Sequence, residues 1–296
     1  MALARVLRSI ATHPLNRGHE LRAVARFAKW QLGTRLVPGA IIFDWVNGAR
    51  FRVSRGETGL TGNVYMGLHE FPDMGFLLHF LRPEDLFVDV GANAGSYTLL
   101  AAAAIGARAV AFEPIPSTYG RLVDNLRLNH LEQRVTALNQ GVGDLRGKLR
   151  FTADRDTVNH ALAAGEEHAN TLEVEVTTLD EALAEESPAL MKIDVEGFET
   201  PALAGAHALL ARPSLRAIIL ELNGSGSRYG YDDADIVRTL ASHGFETFSY
   251  EPFTRRLRSL DGKNCDSGNT LFIRDESFVN QRVKSAPRIT VGARQF

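Results

Sequence analysis

Short apolar runs alternate with amphipathic stretches from Leu86 to about residue 273. The candidate strands span residues 86–90, 109–112, 135–139, 190–194, 217–222, 246–250 and 270–273. The first five are almost continuously apolar, as expected for parallel strands that are covered on both faces. The stretches between the runs carry apolar residues at helical spacing. This alternation predicts an α/β fold with a Rossmann-like, doubly wound, mostly parallel sheet.

Other segments predict additions to this sheet. Residues 41–46 and 49–53 flank Asn47-Gly48, a pair that tolerates the positive φ angles of a type I′ turn, so they predict a β-hairpin. Residues 148–152 and 172–177 predict two strands around a polar loop. We therefore expect an N-terminal appendage over residues 1–80, a main domain over 81–275 and a C-terminal tail over 276–296.

The first 36 residues are basic, with seven Lys or Arg and the single acid Glu20. Residues 19–32 predict an amphipathic helix with a basic face of Arg22, Arg26 and Lys29 and an apolar face of Leu21, Val24, Ala28 and Leu32. Two interpretations remain open. The helix docks on a membrane surface or a partner, or it packs on the main domain with a solvated basic face. An organelle transit peptide is a third, less favoured interpretation.

Composition and charge exclude several classes of protein. A formal net charge of −2 argues against a general nucleic-acid binder. The single cysteine, Cys265, cannot form an internal disulfide, and no Cys/His cluster has zinc-ligand spacing. The longest apolar run, residues 97–107, is far shorter than the ~20 residues that cross a bilayer, and we find no signal peptide. These features predict a globular cytoplasmic protein without a structural metal.

The segment Asp89-Val90-Gly91-Ala92-Asn93-Ala94-Gly95 follows the first parallel strand and opens a helix at Ser96. Its glycines allow a sharp turn and a close approach to a ligand, and open α/β sheets bind ligands at this edge. Glu113 ends the next strand, where its carboxylate is placed to accept hydrogen bonds from both hydroxyls of a ribose. The sequence therefore predicts a nucleotide site.

The charges of this segment select among nucleotides. Its glycine spacing is G-x-x-x-G and not the G-x-G-x-x-G of dinucleotide sites, and the chain has no P-loop motif. The strand ends in Asp89, whose carboxylate would repel a pyrophosphate and attract the ammonium group of an amino acid. S-adenosylmethionine has a ribose, an ammonium, a sulfonium and no phosphate, so it is the predicted cofactor. A nicotinamide-dependent oxidoreductase is the alternative.

At this point the chain resembles the FkbM family of class I S-adenosylmethionine-dependent methyltransferases. The resemblance rests on residues 89–98, 112–114 and 192–199, with weaker matches at 143–144, 179–180, 221–223 and 268–270. It implies a seven-stranded sheet whose last strand is antiparallel, and O-methylation of hydroxyls on sugars or polyketide-like small molecules. It also implies cofactor contacts at Asp89, Gly91, Asn93, Gly95 and Glu113, to which we add the neighbouring Ala92 and Ser96. Asp144 or its neighbours are expected near the adenine.

The segment Lys192-Ile193-Asp194 predicts either an ion pair or a catalytic group. A lone ammonium is costly inside a buried strand, and strand alternation puts Lys192 and Asp194 on the same face. Glu221 ends the neighbouring strand. The three residues either tie the strand ends together or include the base that deprotonates the methyl acceptor. Asp194 and Glu196 are two apart at a strand end, so their side chains should diverge, and we expect no metal between them.

Four further residues, with Glu196, are candidates for substrate binding. Asn159 and His160 lie in the polar insertion, Glu70 precedes the main domain, and Asn223 opens a glycine-rich loop at the carboxyl edge. The predicted function is S-adenosylmethionine-dependent O-methylation of a hydroxylated small molecule or glycan, and not of nucleic acid. A non-catalytic S-adenosylmethionine-binding protein remains an alternative.

Overall fold

Strands and helices alternate along most of the chain, as the apolar pattern predicts. The computed structural model describes residues 2–36, 39–153, 159–163, 165–265 and 269–296. Its strands are β1 (Ile41–Asp44), β2 (Arg50–Val53), β3 (Leu86–Val90), β4 (Arg108–Phe112), β5 (Val135–Leu138), β6 (Gly141–Val142), β7 (Gly147–Thr152), β8 (Thr171–Thr177), β9 (Leu190–Ile193), β10 (Ala217–Glu221), β11 (Glu246–Glu251), β12 (Arg256–Ser259), β13 (Asn269–Ile273), β14 (Thr290–Val291) and β15 (Arg294–Gln295). Its helices are α1 (Ala2–Thr12), α2 (Glu20–Leu36), α3 (Thr58–Met66), α4 (Phe71–Phe80), α5 (Ser96–Leu99), α6 (Pro116–Leu128), α7 (Leu179–Ala182), α8 (Glu199–Ala204), α9 (His207–Ala211), α10 (Asp233–Ser242) and α11 (Glu276–Ser285).

The main sheet has the strand order β12-β11-β13-β10-β9-β3-β4-β5. The strands from β10 to β5 pair in parallel, and β13 is antiparallel to both β10 and β11. The predicted α/β fold with an antiparallel last strand is confirmed, and each of the seven strands predicted for this sheet matches to within one residue at either end. The additional edge strand, β12, was not predicted, because only Leu257 is buried in it and its sequence has the polarity of a loop.

Alternate residues of the central strands face two separate apolar cores, as a doubly wound sheet requires. Phe87 of β3 belongs to one core together with Leu190 and Ile219. Val88 belongs to the other, together with residues of α8 and α9. Every residue of β3, β9 and β13 is buried. The centre of the sheet is therefore closed to solvent, and its central strands can present polar groups to a ligand only at their ends.

The N-terminal and C-terminal segments pack against this domain. The β1–β2 hairpin is confirmed, with Asn47 at φ 49° and Gly48 at φ 85° in its turn. Helix α4 lies within the predicted appendage, yet it shares an apolar core with the sheet. The C-terminal tail forms α11 and the β14–β15 hairpin, and the Phe296 ring lies 5.0 Å from that of Phe71.

Helix α2 confirms the predicted basic helix, but the side that packs on the protein is not the predicted apolar face. Its buried residues are Ala23, Phe27 and Trp30, whereas Leu21, Ala28 and Leu32 are exposed. The large rings bury more apolar area than leucine or alanine, so they decide which side packs. Arg26 is half-buried and donates to the Asn16 side chain and the Tyr65 carbonyl. Helix α1 was not predicted. Among the residues that the structure describes, no helix has the length and apolar character to span a bilayer.

The two strands predicted around the polar loop are confirmed as β7 and β8, which pair antiparallel and form a small sheet with β6. Part of the loop, residues 154–158 and 164, lies outside the described residues, as does Gly268 of the weakest family match. The small sheet stands beside the carboxyl edge of the main sheet, because β6 follows β5 after only two residues.

Candidate active site

A pocket of about 310 Å³ opens at the carboxyl ends of β3, β4, β9 and β10. Its walls come from the turn after β3, the end of β4, the segment after β9, the last residue of β10, and the insertion between β7 and β8. Because the strands are parallel, their carboxyl ends bring these separate segments to one edge. The pocket therefore lies where the sequence predicts a ligand site.

The turn after β3 is shaped by glycine. Gly91 has φ 83°, and a Cβ atom on it would lie 1.9 Å from the Asp194 carbonyl oxygen. The amides of Gly91 and Ala92 both donate to the Phe112 carbonyl, at 3.0 and 2.9 Å. The turn is therefore clamped between the ends of β9 and β4, and only glycine permits so close an approach.

Glu113 joins the turn after β3 to the end of β4. Its Oε2 accepts from the Asn93 amide at 3.0 Å and its Oε1 from the Ile115 amide at 2.9 Å. Burial raises the pKa of Glu113 to about 7. Asn93 itself has φ 52°. Each carboxylate oxygen keeps a further lone pair for a ligand hydroxyl. We call Gly91, Ala92, Asn93 and Glu113 the cofactor wall.

Two other predicted cofactor residues support the cofactor wall from behind or beside it. Asp89 lines the pocket, is almost fully buried, and accepts from Thr98 Oγ1 at 2.6 Å. Burial raises the pKa of Asp89, and the nearby Lys192 opposes that shift. Ser96 also lines the pocket, but Gly95 does not, since it faces Leu122 and is the N-cap residue of α5.

Three carboxylates of the pocket converge where β9 and β10 end. One oxygen from each of Asp194, Glu196 and Glu221 lies within 4.8 Å of the other two. We call these residues the carboxylate cluster. The expectation that Asp194 and Glu196 diverge is wrong, because β9 ends at Ile193 and Glu196 turns back with φ 54°. The cluster is therefore close enough to share one cation, and the argument against a metal loses its geometric basis.

The carboxylate cluster is charged unevenly. Burial, followed by the charges of Asp194 and Glu199, raises the pKa of Glu196 to about 7. Burial, followed by Asp194 and Glu196, raises the pKa of Glu221 to about 8. Glu221 is therefore largely protonated at neutral pH.

Lys192 lies behind the carboxylate cluster and neutralises part of it. Its Nζ donates to Asp194 Oδ2 at 2.7 Å and lies 4.8 Å from the centre of the Tyr97 ring. Burial alone would lower the pKa of Lys192, but Asp194, Glu70 and Asp89 together raise it above its ordinary value. The predicted ion pair is present, and it holds Asp194 in place at the pocket.

Glu70, a predicted substrate-binding residue, belongs to a hydrogen-bonded group beside this lysine that the sequence did not predict. Glu70 lines the pocket and accepts from Tyr97 Oη at 2.9 Å and from Asn269 Nδ2 at 2.8 Å. Asn269 also donates to the buried Asp73 at 3.2 Å, and burial raises the pKa of Asp73 to about 7. Tyr97 and Asn269 belong to the family matches at residues 89–98 and 268–270, which are the sequence signals that could have placed them beside Glu70.

The remaining predicted site residues divide into two groups. Asn159 lines the pocket, and Thr152 Oγ1 donates to its Oδ1 at 3.2 Å. His160 is buried inside the insertion, where its Nε2 lies 3.0 Å from Glu166 Oε1, so it does not reach the pocket. Asn223 is exposed and caps the Ser225 amide.

Asp144 is likewise exposed, because the pairing of β6 with β8 carries it past the pocket. Its neighbours Gln140, Gly141 and Val142 line the pocket instead. Of the two positions that the family resemblance implies, Asp144 itself or its neighbours, only the neighbours lie at the pocket. Tyr229 Oη donates to the Ala161 carbonyl at 2.5 Å, and the Tyr229 ring lies 5.3 Å from that of Phe198, which lines the pocket. The glycine-rich loop and the insertion thus contact each other beside the pocket.

Comparisons with known proteins agree with this architecture. Residues 89–247 match the family model described as the methyltransferase FkbM domain. The chain is 27% identical over 172 residues to the hexuronic acid methyltransferase AglP of Haloferax volcanii, covering 58% of this chain and 67% of that protein. It is 28% identical over 211 residues to the 31-O-demethyl-FK506 methyltransferase FkbM of Streptomyces tacrolimicus, covering 59% of this chain and 78% of that protein.

Among solved structures, the methyltransferase FkbM of Methylobacillus flagellatus KT aligns with a TM-score of 0.45 and 17% identity, over 72% of this chain and 52% of that one. The family model covers more than half of the chain, from the glycine-rich turn to the start of β11. The protein is therefore a methyltransferase and belongs to the FkbM family.

Proposed function

We propose that the protein transfers a methyl group from S-adenosylmethionine to a hydroxyl of a small molecule or glycan. The observation that carries the proposal is the division of one pocket into two chemically different sides. The cofactor wall offers backbone turns and a ribose-binding acid, and the carboxylate cluster offers proton acceptors. A transfer between two bound molecules needs both sides in one cavity.

The residues of the cofactor side fit S-adenosylmethionine. Glu113 has lone pairs for the two ribose hydroxyls, and the absence of a side chain on Gly91 leaves room for the ligand. Asp89 and Glu70 are the acids that would attract the ammonium of its amino-acid end. When bound, the cofactor supplies an electrophilic methyl group.

The residues of the acceptor side fit deprotonation of a hydroxyl. An alcohol is a poor nucleophile until its proton begins to leave, and a positioned base typically contributes ~10²–10⁴-fold. Asp194 lines the pocket, while Lys192 fixes the orientation of its carboxylate. Glu221, which is largely protonated at neutral pH, keeps the cluster from carrying three full negative charges.

The acceptor class rests on the relatives. One is named as a hexuronic acid methyltransferase and the other as a 31-O-demethyl-FK506 methyltransferase. The first names a sugar acid, and the second names an oxygen as the methylated atom. A hydroxylated sugar or small molecule is therefore the acceptor that we propose for this chain.

Two measurements test the proposal. Calorimetry should detect binding of S-adenosylhomocysteine and no binding of NADH; preferential binding of NADH would refute the cofactor assignment. The protein is then incubated with cell extract and S-adenosylmethionine labelled in the methyl group. Label in a hydroxylated small molecule or glycan supports the proposal, whereas cofactor binding without any labelled product would favour a non-catalytic binding protein.

A further inference from the structure

Helix α2 is apolar on two opposite sides, and only one of them packs against the protein. Ala23, Phe27 and Trp30 form the buried side. Five residues fall within about 80° of rotation on the other side. They are Leu21, Ala25, Ala28, Leu32 and Leu36, which we call the leucine stripe.

The leucine stripe is open to solvent. Leu21 is 87% exposed, Leu32 63% and Leu36 81%. Ala25 and Ala28 between them are exposed as well. The stripe extends over about 22 Å of helix, at 1.5 Å per residue. Exposed large apolar residues are normal when they are scattered, but a continuous row on one helix face marks an interaction surface.

Cations border the leucine stripe on both sides. Helical spacing places Arg22 and Lys29 along one edge and Arg35 along the other. All three are exposed, and Arg35 donates only to Gln31 of its own helix among the bonds described. Glu20 is the single acid in the first 36 residues. The surface is thus an apolar row between basic edges.

The charges identify the occupant. A second copy of the chain, packed stripe against stripe, would bring basic edges together with only Glu20 to compensate. An anionic lipid surface accepts the leucines between its acyl chains and the cations among its headgroups. We propose that α2 lies in the plane of an anionic membrane surface and docks the protein there through the leucine stripe.

The test is sedimentation of the full chain with vesicles of phosphatidylcholine alone, or of phosphatidylcholine mixed with an equal amount of phosphatidylglycerol. We expect binding to the mixed vesicles, weakened at high ionic strength. The double variant Leu21→Gln/Leu32→Gln should partition at least ~10-fold less, since two apolar side chains no longer enter the lipid. The double variant Arg22→Gln/Lys29→Gln should also lose about tenfold.

Matched controls distinguish binding through the leucine stripe from nonspecific binding through any exposed leucine or cation. Leu145→Gln replaces an equally exposed leucine elsewhere, and Arg258→Gln replaces an exposed cation on β12. Both should bind as the unaltered chain does. Glutamine retains helix propensity, so thermal melting and S-adenosylhomocysteine binding of the stripe variants should be unchanged.

Three results would overturn the proposal. The first is failure of the unaltered chain to bind mixed vesicles. The second is equal loss of binding in Leu145→Gln and in the stripe variant. The third is that the stripe variant loses concentration-dependent self-association, or binding to polyglutamate, but still binds vesicles. The leucine stripe would then be the contact surface for a second copy or for an acidic protein. None of these measurements depends on the methyl acceptor, so they stand apart from the proposed function.

Discussion

The two sides of the pocket are built in different ways. The cofactor wall is held by backbone hydrogen bonds and positive φ angles within one short turn and the end of β4. The carboxylate cluster is assembled from side chains on two strand ends, and its charges depend on burial and on Lys192. Backbone geometry therefore determines the first side, and the charges and pKa values of buried side chains determine the second. Substitutions should therefore affect the two sides differently.

The largest effect should come from Asp194→Asn, which keeps the shape of the side chain and removes its basicity. We expect turnover to fall by ~10²–10⁴-fold, because the acceptor hydroxyl loses its proton acceptor. The affinity for S-adenosylhomocysteine should stay within ~1 kcal/mol of the unaltered protein. Turnover assays and calorimetry measure the two quantities.

Asp144→Asn is the matched control, since this exposed carboxylate lies outside the pocket. Unchanged turnover in Asp194→Asn would place the base elsewhere. Loss of folding or of cofactor binding in that variant would make the Lys192–Asp194 pair a structural element and remove the difference between the two sides.

Gly91→Ala should break the cofactor wall. The new Cβ would lie 1.9 Å from the Asp194 carbonyl oxygen, in a backbone conformation that alanine rarely adopts. We expect the free energy of unfolding to fall by about 2–5 kcal/mol, the sum of strain and overpacking, together with loss of cofactor affinity. Denaturant titration and calorimetry measure both.

Gly120→Ala is its control, because a Cβ atom at that position of α6 meets nothing within 4 Å. It should leave binding unchanged and stabilise the helix slightly. A Gly91→Ala protein with normal stability and affinity would show that backbone geometry does not determine this side of the pocket.

Glu113→Ala should weaken S-adenosylhomocysteine binding by roughly 1.5–3 kcal/mol, or about 10- to 150-fold, because a charge-assisted hydrogen bond to the ribose is lost. Calorimetry at neutral pH is the measurement, and Glu57→Ala, outside the pocket, is the control. Equal affinities would contradict the ribose assignment and leave Glu113 with only its backbone contacts to Asn93 and Ile115.

The smallest effect should be a pH dependence that belongs to the acceptor side. The pKa values of Glu196 and Glu221 are raised to about 7 and about 8, so the cluster gains negative charge as the pH rises through this range. Negative charge beside Asp194 makes its carboxylate a stronger proton acceptor, and hence kcat/KM should increase from pH 6 to pH 8 by about tenfold.

In Glu221→Gln the group with the higher of the two pKa values no longer titrates, so only the titration at the lower pKa remains. The rising limb of the kcat/KM profile should therefore move to lower pH. A profile that is flat in the unaltered enzyme, or identical in the variant, would contradict a role of the cluster in proton removal.

Much of the cofactor side was accessible from the sequence because its determinants are local. The glycine-rich turn directly follows one apolar strand, and Glu113 directly follows the next. Each feature can therefore be located from the strand that precedes it. The same local logic failed where the chain leaves regular structure. Strand alternation predicted that Asp194 and Glu196 diverge, but β9 ends one residue before Asp194 and the following turn is left-handed at Glu196.

By itself, the sequence determined where the strands of the main sheet begin and end, the turn after β3 and the positions of Glu113, Lys192 and Asp194. Apolar periodicity and glycine placement determine these features because they act over a few residues. Only the tertiary structure decided which side of α2 packs, that His160 is buried beside Glu166 and that Asp144 faces solvent. It also decided that Glu70, Tyr97 and Asn269 meet beside Lys192. Apart from the His160–Glu166 contact, which joins residues six apart, these outcomes depend on contacts between segments that are tens to hundreds of residues apart. No local pattern encodes the competition among such contacts.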